Sequence, residues 1–305
     1  MKMKILTLVS LFIVATYAQE KASFIDVYHD DLCKILVETS NSIDNYFIEE
    51  NSSISSTTHA KFSTSTALES HHNFEKDIRF RLRLNLPKIQ KNLRLIFEDE
   101  NNDDSLYDRT TLNDKELLER SYYLRLEYFR MIKDKLNIVA GTGLRIRQGN
   151  LVPYFNLRSR YDIYKEKKIE SALYNRFRFY TDGEIEDIFE FNSLYTIDSF
   201  LYVMLRNQLS FSNRNNLEQL YHDITVTKKL HKKRQLNIGV GVSSYLKNFK
   251  KYNVEYYHLH SLYHHLFYKD WIYYQVAPSV LWRESNNFNI SYRLMLNFGI
   301  FFNKG

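Results

Sequence analysis

The clearest pattern along the chain is a strict alternation of apolar and polar residues over Asp77–Leu86, which reads DIRFRLRLNL. Its even-numbered residues are all apolar, and its odd-numbered residues are aspartate, arginine and asparagine. Because successive side chains on a strand point to opposite faces, this stretch predicts a β-strand with one apolar and one charged face.

The same period of two returns, with turns between, to the end of the chain. It predicts an all-β fold, an antiparallel transmembrane β-barrel of about 14 strands (12 possible) with lipid outside and a polar lumen. If the first strand, which is weakly predicted, is absent, a second strand must be absent too, because bacterial single-chain barrels have an even number of strands. The count would then be twelve. The predicted strands are Ala60–Glu69, Asp77–Leu86, Leu93–Glu98, Tyr122–Arg130, Leu136–Arg147, Tyr154–Tyr164, Ile169–Tyr180, Ile185–Thr196, Phe200–Phe211, Leu217–Lys228, Leu236–Lys247, Asn253–Phe267, Trp271–Arg283 and Phe288–Phe302.

Three segments are expected. Residues 1–18 resemble a signal peptide, with two lysines, the apolar core Ile5–Ala15 and a small-residue cleavage site at Thr16-Tyr17-Ala18. Residues 19–57 would hold a helix and a polar linker, and residues 58–302 the barrel. With both termini in the periplasm, the longest break, Asp99–Glu119, would be an acidic extracellular loop.

Residues 22–48 break the two-residue period. Their apolar residues recur at steps of three and four, which predicts an amphipathic helix, with a possible interruption at Ser40-Asn41-Ser42. Its apolar face needs a cover, so the helix could lie at the periplasmic rim, enter the lumen as a plug, or pair with another copy. The periplasmic side or the lumen mouth is favoured.

Composition agrees with a barrel. The 24 Tyr and 21 Phe suit strands and the aromatic girdles of membrane barrels. The one cysteine, Cys33, rules out an internal disulfide framework and is expected to pack on a helix face. A pI near 9.0 could suggest nucleic acid, but the basic residues alternate with apolar ones instead of forming one surface. We expect no nucleic-acid partner.

The last hairpins carry a family resemblance. From Tyr263 the chain reads YHHLFYKDWIYYQVAPSVLWRE, and SYRLMLNFG follows near the end. This resembles a group of functionally unassigned outer-membrane β-barrel proteins of Gram-negative bacteria, most strongly over Trp271–Glu284. The resemblance implies the fold and a cell outer membrane location, with lipid, lipopolysaccharide and the barrel-insertion machinery as partners. It implies no activity and no site residues.

Arginine is the distinctive residue of the polar strand faces. In a closed barrel these side chains would share one lumen and need partners or water, with Glu98, Glu127, Glu170, Glu190 and Asp223 as candidate partners. The expected pore-lining residues are Arg79, Arg81, Arg83, Arg94, Arg125, Arg145, Arg147, Arg158, Arg160, Arg176, Arg178, Arg206 and Arg293.

Three functions remain open. The first is a channel or transport pore whose arginines favour small anionic solutes. The second is a structural or assembly barrel with a filled lumen, whose N-terminal helix docks a periplasmic partner. The third is a lipid-modifying enzyme, which would need a Ser–His pair such as Ser261 with one of the histidines of its strand.

Those histidines are His258, His260, His264 and His265. His258 and His260 are i and i+2 on a strand and would need a third metal ligand from elsewhere. No tight serine motif accompanies them. We therefore expect no catalytic residue, no metal site and no cofactor.

Overall fold

The protein is described by a computed structural model that covers residues 24–46, 58–70, 74–86, 93–98, 121–147, 149–214, 217–247 and 251–303. One helix, α1, spans Phe24–Tyr46. The strands are β1 (Thr58–Glu69), β2 (Glu75–Asn85), β3 (Arg94–Glu98), β4 (Ser121–Lys133), β5 (Leu136–Arg147), β6 (Asn150–Lys165), β7 (Ile169–Tyr180), β8 (Ile185–Thr196), β9 (Leu201–Ser212), β10 (Leu217–His231), β11 (Arg234–Lys247), β12 (Lys251–Tyr268), β13 (Ile272–Arg283) and β14 (Ile290–Asn303).

Each strand pairs antiparallel with its sequence neighbours, and β1 pairs with β14 to close the barrel. The closing pair runs from His59 opposite Asn303 to Glu69 opposite Arg293. The predicted fourteen-stranded antiparallel barrel is therefore confirmed. We call the end where β1 begins and β14 ends the terminal rim, and the opposite end the far rim.

The outer face of the wall is apolar. Phe189 is 50% exposed and Val240 is 53% exposed, and both alternate with inward-facing residues. Large apolar side chains exposed in the same way include Ile78, Phe155, Leu173, Phe179, Ile224, Val226, Ile238, Leu259, Leu294 and Phe298. A closed barrel satisfies all its backbone hydrogen bonds within the wall, so such an apolar outer face suits a lipid bilayer.

Strand ends differ from prediction where turn geometry decides them. The last strand begins at Ile290 rather than Phe288, because Asn287 and Phe288 adopt φ of 49° and 57° and belong to the turn. At the turn between β7 and β8, Gly183 adopts φ of 85°, which glycine does without steric cost. Asp182-Gly183, a pair favoured in tight hairpins, lies in this turn.

Helix α1 lies at the terminal rim. Asp26 Oδ1 is 2.8 Å from Lys269 Nζ, and Tyr268 donates a hydrogen bond of 3.0 Å to Asp26 Oδ2. At the other end of the helix, the Ser40 hydroxyl donates to the carbonyl oxygen of Asn85, at 3.3 Å. The helix therefore connects the β12–β13 turn to the end of β2.

The face that α1 buries is polar, which the sequence did not predict. Its buried residues are Asp26, His29, Cys33 and Ser40, whereas Ile25, Tyr28, Leu32 and Ile35 are exposed. Cys33 packs beside His29, as expected of a small helix-face residue, and the expected break at Ser40-Asn41-Ser42 does not occur. The described part of the chain contains no helix with both the length and the hydrophobicity of a transmembrane span.

Some predicted segments lie outside the described residues. They are the signal peptide at 1–18, the linker residues 51–57 and the acidic loop Asp99–Glu119. The two ends of that loop are the described strands β3 and β4, which pair with each other from Arg94 opposite Glu127 to Glu98 opposite Tyr123.

Candidate functional site

Strand register gathers the polar faces of the strands on the inside of the barrel. Arg206 on β9 pairs with Asp223 on β10, for example, and both side chains are buried. The arginines singled out from the sequence alternate with lipid-facing residues, and the twelve whose side chains are described lie on this inward face. For Arg147 only the backbone pairing, with Ser121 and Asn150, is described.

These twelve arginine side chains form two populations. The buried ones lie on β4, β5, β7, β9 and β14: Arg125, Arg145, Arg176, Arg178, Arg206 and Arg293. The half-buried ones lie on β2, β3 and β6: Arg79, Arg81, Arg83, Arg94, Arg158 and Arg160. The first population is packed against neighbouring side chains, and the second keeps contact with solvent.

A cluster of tyrosines surrounds two of the buried arginines. The guanidinium carbon of Arg178 lies 4.6 Å from the ring centroid of Tyr123 and 5.6 Å from that of Tyr154. The guanidinium carbon of Arg145 lies 3.7 Å from the ring centroid of Tyr180. We call these five residues the arginine–tyrosine cluster. Cation–π attraction of about 1–2 kcal/mol per desolvated contact stabilises arginines in such a setting.

Two glutamates near the far rim balance the charge of this cluster. Glu186 accepts a 2.7 Å hydrogen bond from the Tyr180 hydroxyl and lies 3.4 Å from Arg178 Nη1. Glu184 is 2.7 Å from Arg145 Nη2 and is itself buried. Without such partners the buried guanidinium groups would carry an uncompensated desolvation cost.

Gly143 makes room for the cluster. It pairs with Arg125 on one side and Tyr154 on the other. A Cβ atom at Gly143 would lie 2.6 Å from Cζ of the Tyr154 ring. Since real Cβ atoms do not approach ring carbons so closely, the absence of a side chain lets Tyr154 lie over β5 toward Tyr123, 5.9 Å between centroids.

Two predicted carboxylate partners are confirmed. Glu127 Oε1 is 3.1 Å from Arg125 Nε and also accepts a hydrogen bond from Arg158. Glu190 Oε1 is 3.4 Å from Arg206 Nε. Asp223, the third candidate that the structure buries, lies instead beside two histidines. The Glu98 side chain lies outside the described part of the chain.

Among the described residues, the sequence missed two inward arginines, Arg130 and Arg283. A bulge in β4 between Glu127 and Phe129 shifts the alternation. Arg130 therefore pairs with Val139 on the same side of the wall as Arg158.

Arg283 donates to both carboxylate oxygens of Glu69, at 2.8 and 3.1 Å, and Arg293 Nη1 lies 3.4 Å from the same carboxylate. Counting in steps of two from Ser279 would have placed Arg283 inside. Leu281 lies between them on the same inward face and is buried there. Because it is apolar, the inward face of β13 does not show the regular polar pattern from which the other arginines were assigned.

The histidine-bearing strand separates the residues of the hypothetical lipid hydrolase. His258 and His260 are buried beside Asp223. Ser261 is one residue further along β12 and pairs with Ile238, which is 50% exposed on the outer face. Ser261 and His258 therefore point to opposite sides of the wall and do not form a nucleophile–base pair.

No protein-family model matches the chain, and no curated protein matches it. Among solved structures, in-vitro folded OmpT, an outer membrane protein of Vibrio cholerae, is similar at a TM-score of 0.49 and 10% identity, over 83% of this chain and 98% of that one. The outer membrane channel DcaP of Acinetobacter baumannii is similar at a TM-score of 0.48 and 7% identity, over 81% of this chain and 96% of that one. An even number of antiparallel strands closed in one chain, apolar outside and polar inside, is the architecture of bacterial outer-membrane proteins. The protein has the fold of an outer-membrane β-barrel.

Proposed function

We propose that this barrel is a pore for small anionic solutes, with its solvent-accessible basic wall on β2, β3 and β6. The observation that carries the proposal is the second arginine population. The side chain of Arg79 is 28% exposed and that of Arg160 is 30% exposed, although both face inward. Inward side chains that keep contact with water indicate water within the barrel.

Barrel width supports the same function. About eight strands enclose a space that side chains can fill, and barrels of about 16–18 strands leave an aqueous channel. With fourteen strands, this barrel is closer to the second case. In a barrel of this width, the arginine–tyrosine cluster and the ion pairs of Glu69 with Arg283 and Arg293 would narrow the lumen without filling it.

Arginine suits anion passage for a chemical reason. Its guanidinium group stays charged at every physiological pH and offers five donors to carboxylate or phosphate groups. On β2, Arg79, Arg81 and Arg83 present three such groups at every second residue along the direction of transport. Rings or rows of arginine and lysine are a known basis of anion selectivity in pores.

A specific observation favours a second candidate, a barrel closed by its own side chains. Arg125 and Arg178 are 0% exposed and Arg145 is 1% exposed. A layer so tightly packed would obstruct passage if it extended across the lumen. The barrel would then have a structural or assembly role, with α1 at the terminal rim as the element that docks a periplasmic partner.

The test is conductance of the refolded full-length barrel in a planar bilayer, with a KCl gradient to read ion selectivity. We expect stable steps with a reversal potential of the anion-selective sign. The combined Arg79→Gln, Arg81→Gln, Arg83→Gln variant should move that potential toward zero. The matched control, Lys167→Gln, Lys168→Gln, Lys232→Gln, removes the same charge from exposed turns of the terminal rim and should change it less.

A correctly folded barrel that stays electrically silent would overturn the pore and favour the closed barrel. Deleting residues 24–46 would then locate the obstruction. Conductance that appears on deletion would mean that α1 blocks the lumen. Continued silence, with loss of a periplasmic partner in pull-down, would support the docking role.

A further inference from the structure

We propose that Asp223, His258 and His260 form a binding site for a divalent transition-metal ion, with Zn²⁺ as the best match, on the inner wall of the barrel. Along the sequence the two histidines lacked a third ligand. The fold supplies it from β10, two strands away. The site goes beyond the proposed solute passage and does not depend on it.

Strand register brings the three residues together. Asp223 pairs with Gly241, and Gly241 pairs with His258, so these residues form one row across β10, β11 and β12. The next row, two residues along, is Thr225, Gly239 and His260. In both rows the middle strand contributes a glycine on the inward face.

The two glycines open the space in which the side chains meet. A Cβ at Gly241 would lie 2.5 Å from Cε1 and 2.8 Å from Nε2 of His258. A Cβ at Gly239 would lie 2.6 Å from Cε1 of His260. The chain has only 8 glycines, and two of them lie beneath these two histidines on the inward face. Any larger residue at either position would occupy the space that the imidazole rings fill.

The donor atoms have the spacing of metal ligands. Asp223 Oδ2 lies 3.4 Å from His258 Nε2 and 3.7 Å from His260 Nδ1. All three residues offer ligand atoms within 4.8 Å of one another. Ligands held about 2.0–2.1 Å from a tetrahedral Zn²⁺ are roughly 3.3–3.4 Å apart, so a metal ion fits between these atoms with small adjustments.

Burial leaves these groups short of partners. The side chains of His258, His260 and Asp223 are 0%, 8% and 5% exposed. Asp223 Oδ2 and the Nδ1 atoms of both histidines are buried and make no hydrogen bond. Buried polar atoms without a partner cost free energy, and a bound metal ion would satisfy two of these three directly.

A neighbouring hydroxyl orients the carboxylate. Thr225 Oγ1 donates a 2.5 Å hydrogen bond to Asp223 Oδ1, which leaves Oδ2 directed at the histidines. Such outer hydrogen bonds commonly fix the ligands of protein metal sites. Two imidazole nitrogens and one carboxylate oxygen suit Zn²⁺, and a fourth position would remain for water or for the Tyr221 hydroxyl, 3.3 Å from His258 Nε2.

The experiment uses the full-length barrel without added histidines, refolded in detergent and stripped of metal with a chelator. Zn²⁺ is titrated against a chromogenic competitor, and bound metal is counted by elemental analysis. We expect one equivalent in the wild type and its loss in His260→Ala and in Asp223→Asn. His265→Ala changes the same residue type on the opposite face of β12 and should bind like the wild type.

Folding of each variant is checked by its mobility shift on heating. Because a variant could fail to fold, Co²⁺ binding to the wild type gives a second measurement, with the strong visible absorption of a tetrahedral site as the expected result. Wild-type protein that binds no metal at micromolar Zn²⁺ and gives no such absorption would overturn the proposal. So would a folded His260→Ala variant that binds as tightly as the wild type. The three residues would then form a metal-free hydrogen-bonding group.

Discussion

The imidazole of His29 lies flat against the indole of Trp271, with ring centroids 4.1 Å apart and planes 18° from parallel. His29 Nε2 is also 2.9 Å from the carbonyl oxygen of Phe301. One buried residue of α1 is thereby joined to the turn before β13 and to the end of β14. The attachment of the helix can be tested through this residue.

His29→Ala should loosen the helix without unfolding the barrel. The substitution removes a ring stack and a hydrogen bond, together about 1–2 kcal/mol of local stabilisation. We expect faster amide exchange in α1, measured by hydrogen exchange and mass spectrometry, and unchanged exchange in the strands. His231→Ala, an exposed histidine at the same rim, is the control. Equal protection of α1 in both variants would contradict the attachment.

The ion pair of Asp26 with Lys269 should make helix attachment sensitive to high pH. The hydrogen bond that Lys269 donates to the Asp26 carboxylate raises the pKa of Lys269 above its ordinary value of 10.5. A group whose pKa is raised by folding stabilises the fold below the ordinary pKa and loses that contribution as pH rises through the raised one. Attachment should therefore hold at neutral pH and weaken only above about pH 10.5.

Trp271 reports on this transition, because it contacts both His29 and Tyr268. Its fluorescence can be read alone in a Trp282→Phe background, since the chain has only 2 Trp. Asp26→Asn should remove the alkaline change that depends on the pair. A transition of the same size and midpoint in both proteins would show that other lysines or tyrosines cause it.

Glu184→Ala should destabilise the far rim. The buried carboxylate lies 2.7 Å from Arg145 Nη2 and 3.2 Å from Arg214 Nη1. We expect a loss of about 3 kcal/mol, the lower end of the cost of breaking a buried ion pair, because Glu186 still faces Arg145. Urea unfolding in lipid vesicles measures it. Glu166→Ala, in an exposed turn of the terminal rim, should change the free energy of unfolding little.

Gly143→Ala should disturb the arginine–tyrosine cluster. The new methyl group would lie 2.6 Å from Tyr154 Cζ and 2.6 Å from the carbonyl oxygen of Leu124. Overpacking of this kind costs about 1–3 kcal/mol. In a Tyr154→Ala background the cost should fall but not vanish, because the backbone contact remains. Equal costs in the two backgrounds would show that the ring and the methyl group do not meet.

Much of the architecture was predictable from Asp77–Leu86 and its repeats. Alternation within a strand is local, so it identifies the strands and sorts their residues between lipid and lumen without knowledge of their neighbours. That is why the fourteen strands and the inward side of Arg125, Arg178 and Arg206 follow from the sequence. It is also why Arg283, whose alternation Leu281 interrupts, was missed.

Alternation along the chain was enough to predict the barrel, its apolar outer surface and its arginine-rich interior. It could not predict which arginines are packed and which meet water, that Asp223 lies against His258 and His260, or that α1 buries a polar face. These contacts cross strands, so they depend on strand register and barrel closure. Gly143, Gly239 and Gly241 show this directly, because the space each one leaves is filled by a side chain from another strand.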